Sequence, residues 1–143
     1  MERQPIRVMV AEDIPLLRED FCDIVSRAPG MEVAGCAATG QEMTRLARET
    51  DCDIILMDIE METMQAGITA AEAIHRDKPE VKIIFLTAHE TEDIILSAMA
   101  SGAVDYVVKG CDDEVLLEHI RRAHAGRPAL EQQVQQIVMR EYS

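Results

Sequence analysis

The sequence predicts an α/β fold, a doubly wound sheet of five parallel strands with helices on both faces. Three observations carry this. Five short apolar runs alternate with five segments of helical period between residues 6 and 126. The third run, Ile54-Ile55-Leu56-Met57, is apolar without a break, as a strand buried on both faces must be. Four of the runs end in residues able to do chemistry: Glu12-Asp13, Asp58, Thr87 and Lys109. In a parallel sheet such ends share one edge, where ligands bind.

Taken in order, Ile6 to Ala11 reads as the first strand and ends in Glu12-Asp13. Asp13 is a candidate N-cap for the next helix, with Pro15 in its first turn, where a missing N–H costs little. Leu16, Leu17, Phe21, Ile24 and Val25 follow at helical spacing, and Pro29-Gly30 stops the helix. Met31 to Ala37 is a second strand, weakened by Gly35; a helix over 41–49 follows Thr39-Gly40. The third strand runs from Asp53 to Met57 and ends at Asp58. Residues 59–67 lack a clean period and read as a loop, before a helix over 68–76 closed by Pro79. Val81 to Leu86 is the fourth strand, ending in Thr87-Ala88; a helix over 91–100 stops at Gly102. Val104 to Val108 is the fifth strand, ending at Lys109-Gly110. The last core helix opens on Asp112-Asp113-Glu114 and closes on Arg121, Arg122 and His124. Both ends match the helix dipole, and Gly126 follows as a natural terminator. Residues 127–143 form an appendage, with Leu130, Val134, Ile137 and Val138 on one stripe of a candidate tail helix. Exposed, that stripe would favour a homodimer; folded back, it would cover its own domain.

At 143 residues and 48% hydrophobic, the chain supports one domain with a full core. Without Trp, and with only Phe21, Phe85, Tyr106 and Tyr142 as aromatics, that core is aliphatic. A net charge of −13 argues against holding nucleic acid through phosphate contacts and against an anionic membrane surface, while suiting a cation or a basic partner. Cys22, Cys36, Cys52 and Cys111 have no metal-binding spacing and read as buried free thiols of a reducing compartment. No apolar leader follows Met1, and no run approaches the ~18 residues of a membrane span, so a cytoplasmic protein is expected.

If the strand order is 2-1-3-4-5, the order expected here, the first and third strands are neighbours at the switch point, and Glu12, Asp13 and Asp58 would converge. Three close carboxylates repel, and a hard divalent cation resolves the conflict. Oxygen ligands with room for water suit Mg2+. A carboxylate is also a nucleophile toward phosphorus, and phosphoryl transfer needs charge neutralisation above all. Lys109 supplies a second cation and Thr87 a hydroxyl. Each residue alone has a plain structural reading, as a helix cap, a strand end or a solvated lysine. The coincidence of four strand ends favours chemistry. His75, His119 and His124 have no second ligand at metal spacing and read as solvated or dipole-matching residues.

At this point the chain resembles the receiver domain of bacterial two-component response regulators, over about residues 5–126. The resemblance rests on Val10-Ala11-Glu12-Asp13, Leu56-Met57-Asp58-Ile59-Glu60-Met61, Leu86-Thr87-Ala88 and Gly102 to Lys109. It implies the flavodoxin-like receiver fold. Asp58 would be the phosphoacceptor, Glu12 and Asp13 would be Mg2+ ligands with Asp58, and Glu60 would offer its backbone carbonyl to the metal. Thr87 and Lys109 would bind the phosphoryl oxygens. It implies a switch, in which Thr87 moves toward the phosphoryl group and Tyr106 turns inward, remodelling the face of helix four, strand five and helix five. The donor would be a phosphohistidine on a sensor histidine kinase. The chain would be no enzyme beyond its own phosphorylation and dephosphorylation. The stretch from Lys109 to Pro128 is most similar to NarL/FixJ-type receivers, which usually precede a helix-turn-helix DNA-binding domain; the chain would control transcription through such a domain, absent from these residues, or act alone.

The chain departs from the family's pattern in three places. Glu62 stands where proline is usual, Gly67 stands one position later than the usual loop glycine, and Lys109 is followed by Gly110 rather than proline. The first two imply a longer, differently shaped loop after Asp58. A haloacid-dehalogenase-type phosphatase would need an acid proton donor at position 60, conventionally Asp, and a cap domain. A flavodoxin-like cofactor binder would need a Ser/Thr/Gly-rich loop where Glu12-Asp13-Ile14-Pro15 stands. A degenerate receiver acting as a protein-interaction module is the nearest rival, and the intact acid set opposes it.

Overall fold

The computed structural model describes residues 4–129 and 139–140. Ten elements alternate: β1 (Ile6–Ala11), α1 (Pro15–Arg27), β2 (Met31–Ala37), α2 (Gly40–Glu49), β3 (Ile54–Asp58), α3 (Ala66–Asp77), β4 (Lys82–Thr87), α4 (Glu92–Ser101), β5 (Asp105–Val108) and α5 (Asp113–His124). All strand pairs are parallel, in the order β2-β1-β3-β4-β5. The expected fold and strand order are therefore both present. Side chains alternate across the strands and build two cores. Met9, Ile55, Met57, Ile83, Phe85 and Tyr106 pack beneath α2, α3 and α4. Val8, Val10, Ile54, Leu56, Leu86 and Val107 pack beneath α1 and α5. β3 lies in the middle of the sheet and is buried along its whole length, as its unbroken apolar run predicts.

Gly35 has a specific job. The β1–β2 register slips between Val8 and Met9, and a Cβ on Gly35 would lie 2.9 Å from Leu46 of α2. α4 ends at Gly102, whose φ of +93° is one that glycine adopts without strain. Gly126, at φ +81°, follows α5 as the sequence predicts.

One cap differs from expectation. The N-cap of α1 is Ile14, not Asp13, and its side chain makes no capping bond. Glu12 takes the local role instead, its Oε1 accepting from the Ile14 N–H at 3.3 Å. Asp13 is thereby left exposed at the sheet edge. The proposed tail helix and its apolar stripe lie outside the described residues. At 139–140, Arg140 Nη2 lies 3.2 Å from Glu92 Oε1 in the first turn of α4. No helix among the described residues is long and apolar enough to cross a membrane.

Candidate phosphoacceptor and metal site

The sheet's carboxyl edge assembles the predicted site. β1 pairs with β3, so the chain leaving Ala11 passes beside the end of β3. Ligand oxygens of Glu12, Asp13 and Asp58 all lie within 4.8 Å of one another. Glu12 is fully buried and Asp58 is 4% exposed, whereas Asp13 is open to solvent. β4 and β5 bring the cationic side: the Lys109 N–H donates to the Thr87 carbonyl at 2.7 Å, and Lys109 Nζ donates to Asp58 Oδ2 at 2.9 Å. Lys109 Nζ also lies 2.9 Å from Glu12 Oε2. Thr87 is buried, its hydroxyl donating to the His89 carbonyl at 2.9 Å and accepting from the His89 N–H at 3.2 Å.

A cleft of about 720 Å³ runs from Asp13, Asp58 and Lys109 past Thr87 to Ile68 and Ile94, with Glu12 behind its wall. Glu60 also lines it, but its carboxylate is not part of the acid cluster.

The electrostatics follow from burial. Removal from water pushes the Asp58 carboxyl up to about 7; the Lys109 ammonium opposes this and the Glu12 carboxylate adds to it. Burial works against the charged form of Lys109, but its bonds to Asp58 and Glu12 prevail and hold it above its usual value. One cation thus faces two buried acids and a third at the rim. Glu12 Oε2 has the Lys109 ammonium, at 2.9 Å, to offset its burial. Three carboxylates that share one ammonium leave negative charge uncompensated, and their hard oxygens fit a small divalent cation.

The loop after Asp58 resolves the sequence departures. Glu62 turns its carboxylate onto the start of α2, where Oε1 accepts from the Gly40 N–H at 2.7 Å and Oε2 from the Gln41 N–H at 3.0 Å. Thr39 caps the same helix through the Glu42 N–H at 3.0 Å. Desolvation alone would raise the Glu62 carboxyl, yet the two backbone donors bring it below its ordinary value. A folded-state value that lies low contributes stability above the ordinary carboxylate range and loses it as pH falls through the folded-state value. Glu62→Ala should therefore lower stability by about 1 kcal/mol at neutral pH, the usual worth of a lost cap, and by less below pH ~4. Urea unfolding of both proteins across that range checks it; a difference that grows on acidification would refute it.

Gly67, although late by one position, closes the loop. Its N–H donates to the Ile59 carbonyl at 2.8 Å, and its α-carbon packs against the backbone of Asp58. Lys109-Gly110 carries no cis bond, and Gly110 sits at φ +91°.

Tyr106, His119 and the cysteines, each read from the sequence, take places in the fold that differ from that reading. Tyr106 is buried and its hydroxyl donates to Glu90 Oε1 at 2.6 Å, so the ring already points inward. His119 is no solvated histidine: Nδ1 contacts the buried Asp105 Oδ2, while Asp105 Oδ1 accepts from the Tyr106 N–H at 2.8 Å. The cysteines also depart from expectation, since only Cys52 is buried and Cys36 is exposed. The Tyr106–Glu90 and His119–Asp105 pairings link separate segments, beyond what local pattern reports.

A doubly wound parallel sheet with an acid cluster at its switch point, faced by a lysine and a threonine from the next two strand ends, defines a class of α/β domains whose site lies at the carboxyl edge of the sheet. The chain belongs to the response regulator receiver domain family, whose model matches residues 8–121. It is 38% identical over 126 residues to the "Uncharacterized transcriptional regulatory protein YxjL" of Bacillus subtilis, covering 88% of this chain and 57% of that protein. It is 34% identical over 135 residues to the "Nitrate/nitrite response regulator protein NarP" of Escherichia coli, covering 94% of this chain and 62% of that one. In structure it is similar to a LuxR-family two-component response regulator from Aurantimonas sp. SI85-9A1, with a TM-score of 0.85 and 31% identity, covering 98% of this chain and 100% of that one. The chain thus spans about three-fifths of the length of the two curated relatives and corresponds to their receiver part.

Proposed function

We propose that this receiver accepts a phosphoryl group on Asp58 from a phosphohistidine of a sensor kinase and passes the change to an output. The observation that carries the reading is the buried Asp58 carboxylate, held by Lys109 and flanked by Glu12 and Asp13 at the mouth of a cleft. An Asp58 oxygen attacks phosphorus; the new O–P bond forms as the donor's N–P bond breaks, and the electron pair leaves on the imidazole. Lys109 fixes the carboxylate through Oδ2 and remains beside the phosphoryl oxygens. Glu12, Asp13 and Asp58, with the Glu60 backbone carbonyl, would hold Mg2+, which when bound neutralises charge on the transferring group.

The switch follows from what Thr87 must give up. Its hydroxyl now serves the His89 backbone, and turning toward a phosphoryl oxygen breaks that link and frees the β4–α4 connection. Tyr106 is already inward and tied to Glu90 of the same connection, so the movement is transmitted to α4, β5 and α5. In a longer protein similar to the transcriptional relatives, that face would control a DNA-binding domain; the acidic receiver itself holds no nucleic acid.

Intact mass after incubation with acetyl phosphate and Mg2+ tests the reading. Wild type gains one phosphoryl group, and Asp58→Asn and EDTA-treated wild type gain none. Absence of a gain in wild type, with no spectral response to beryllofluoride, would favour the degenerate receiver that works by protein contact alone.

A further inference from the structure

We propose that Cys22 and Cys36 form a reversible, peroxide-driven disulfide that pins α1 to the edge strand β2. The two sulfurs lie 2.7 Å apart, one on α1 and the other near the carboxyl end of β2. These elements pack directly on each other and are joined by a short turn, so the pairing needs no rearrangement of the fold. A disulfide needs its sulfurs at ~2.05 Å, a small closing movement from this position. The two remaining thiols are placed elsewhere: Cys52 is buried ahead of β3 and Cys111 lies within the β5–α5 connection.

The two thiols divide the chemistry. Cys36 is exposed, so a hydroperoxide reaches it first. Its sulfur attacks the peroxide oxygen, the O–O bond breaks, and a sulfenic acid and one water result when the oxidant is hydrogen peroxide. Burial, reinforced by Cys36, pushes the Cys22 thiol up to about 12, so Cys22 is a poor first reductant of peroxide. It is nevertheless fixed beside the Cys36 sulfur, and proximity replaces intrinsic reactivity. Its sulfur attacks the sulfenic sulfur, the S–S bond forms, the S–O bond breaks, and hydroxide leaves with the Cys22 proton as water. Two electrons pass from the thiol pair to the peroxide. A small dithiol reverses the bond by exchange.

The crosslink acts close to the acid pocket. Arg18, one helical turn before Cys22, donates from Nη1 to the Glu12 carbonyl at 2.8 Å. Pinning α1 therefore also restrains the backbone of a candidate metal ligand.

Thiol counting and non-reducing peptide mapping of the full chain after a small excess of hydrogen peroxide test the proposal. Free thiols should fall from four to two, with one cross-linked peptide pair joining Cys22 to Cys36. Cys36→Ser should keep all its remaining thiols under the same dose. Cys22→Ser should halt at the sulfenic acid and be labelled by dimedone, which wild type resists. Cys36 is exposed, so Cys36→Ser retains the fold and serves even if Cys22→Ser does not. Unchanged thiol number in wild type, a link involving Cys52 or Cys111, or a covalent dimer through Cys36 would each overturn the assignment.

Discussion

Gly67→Ala should destabilise the protein by about 3 kcal/mol or more, at the upper end of what overpacking does, and should abolish phosphoryl acceptance. Gly67 is the second residue of α3, and by helix propensity alone alanine there would stabilise by ~1 kcal/mol. Packing dictates the opposite sign. A Cβ at this position would overlap the Asp58 carbonyl oxygen and lie 2.9 Å from both the Asp58 carbonyl carbon and the Ile59 Cα. All three atoms are backbone, so no side-chain rotation relieves the overlap. The start of α3 must move away, or the end of β3 must. Either movement breaks the 2.8 Å bond from the Gly67 N–H to the Ile59 carbonyl and shifts the acceptor relative to Lys109. Urea unfolding followed by circular dichroism measures the first effect, and the acetyl phosphate mass assay the second. A variant as stable as wild type would show that the Asp58–Gly67 contact is looser than described.

The same residue marks the limit of what the sequence discloses. Alternation of apolar runs and helical periods was enough for all five strands and their shared edge, because burial on both faces writes itself into consecutive residues, whereas the strand order does not follow from alternation. The site was legible for a related reason: its residues sit at strand ends, and the topology alone brings Glu12, Asp13, Asp58, Thr87 and Lys109 together. What stayed hidden depends on contacts between distant segments. Glu62 reads as a lost proline, yet it caps a helix that begins 22 residues earlier. Asp13 is the local exception: it has the character of an N-cap, but Glu12, two residues before Ile14, reaches the Ile14 N–H instead, and Asp13 lies at the rim of the acid cluster. His119 looks like a surface histidine until β5 places Asp105 beneath it. Tyr106 meets Glu90 only because β5 lies beside β4. Local pattern encodes which face is buried, whereas polar partners across elements are a property of the assembled fold.

The Asp58→Asn variant should also be more stable than wild type in metal-free buffer, by about 2 kcal/mol near pH 8. The reason is the same burial that makes the site usable. The Asp58 side chain is 6% exposed, and its carboxyl is pushed up to about 7 from an ordinary 3.8, by burial first and by Glu12 as well. A raised carboxyl means that between those two values folding takes up a proton. Above the folded-state value the native protein instead holds a buried charge, and that penalty is fully present. As pH falls through about 7 the penalty shrinks, and near 4 it is gone, because both states are then protonated. Asparagine keeps the shape without the charge, so the gain is largest at alkaline pH and fades on acidification. Lys109 moderates it, since the variant leaves the ammonium with Glu12 at 2.9 Å as its remaining acid partner. Mg2+ should narrow the difference by stabilising wild type more than the variant, because a cation held by three carboxylates offsets the repulsion that asparagine has already relieved. Urea titrations at several pH values, with EDTA and then with Mg2+, measure all of this. A variant no more stable than wild type at alkaline pH, or a gap that widens as the solution is acidified, would mean that Lys109 outweighs burial. The acceptor would then sit in a relaxed ion pair rather than a strained one.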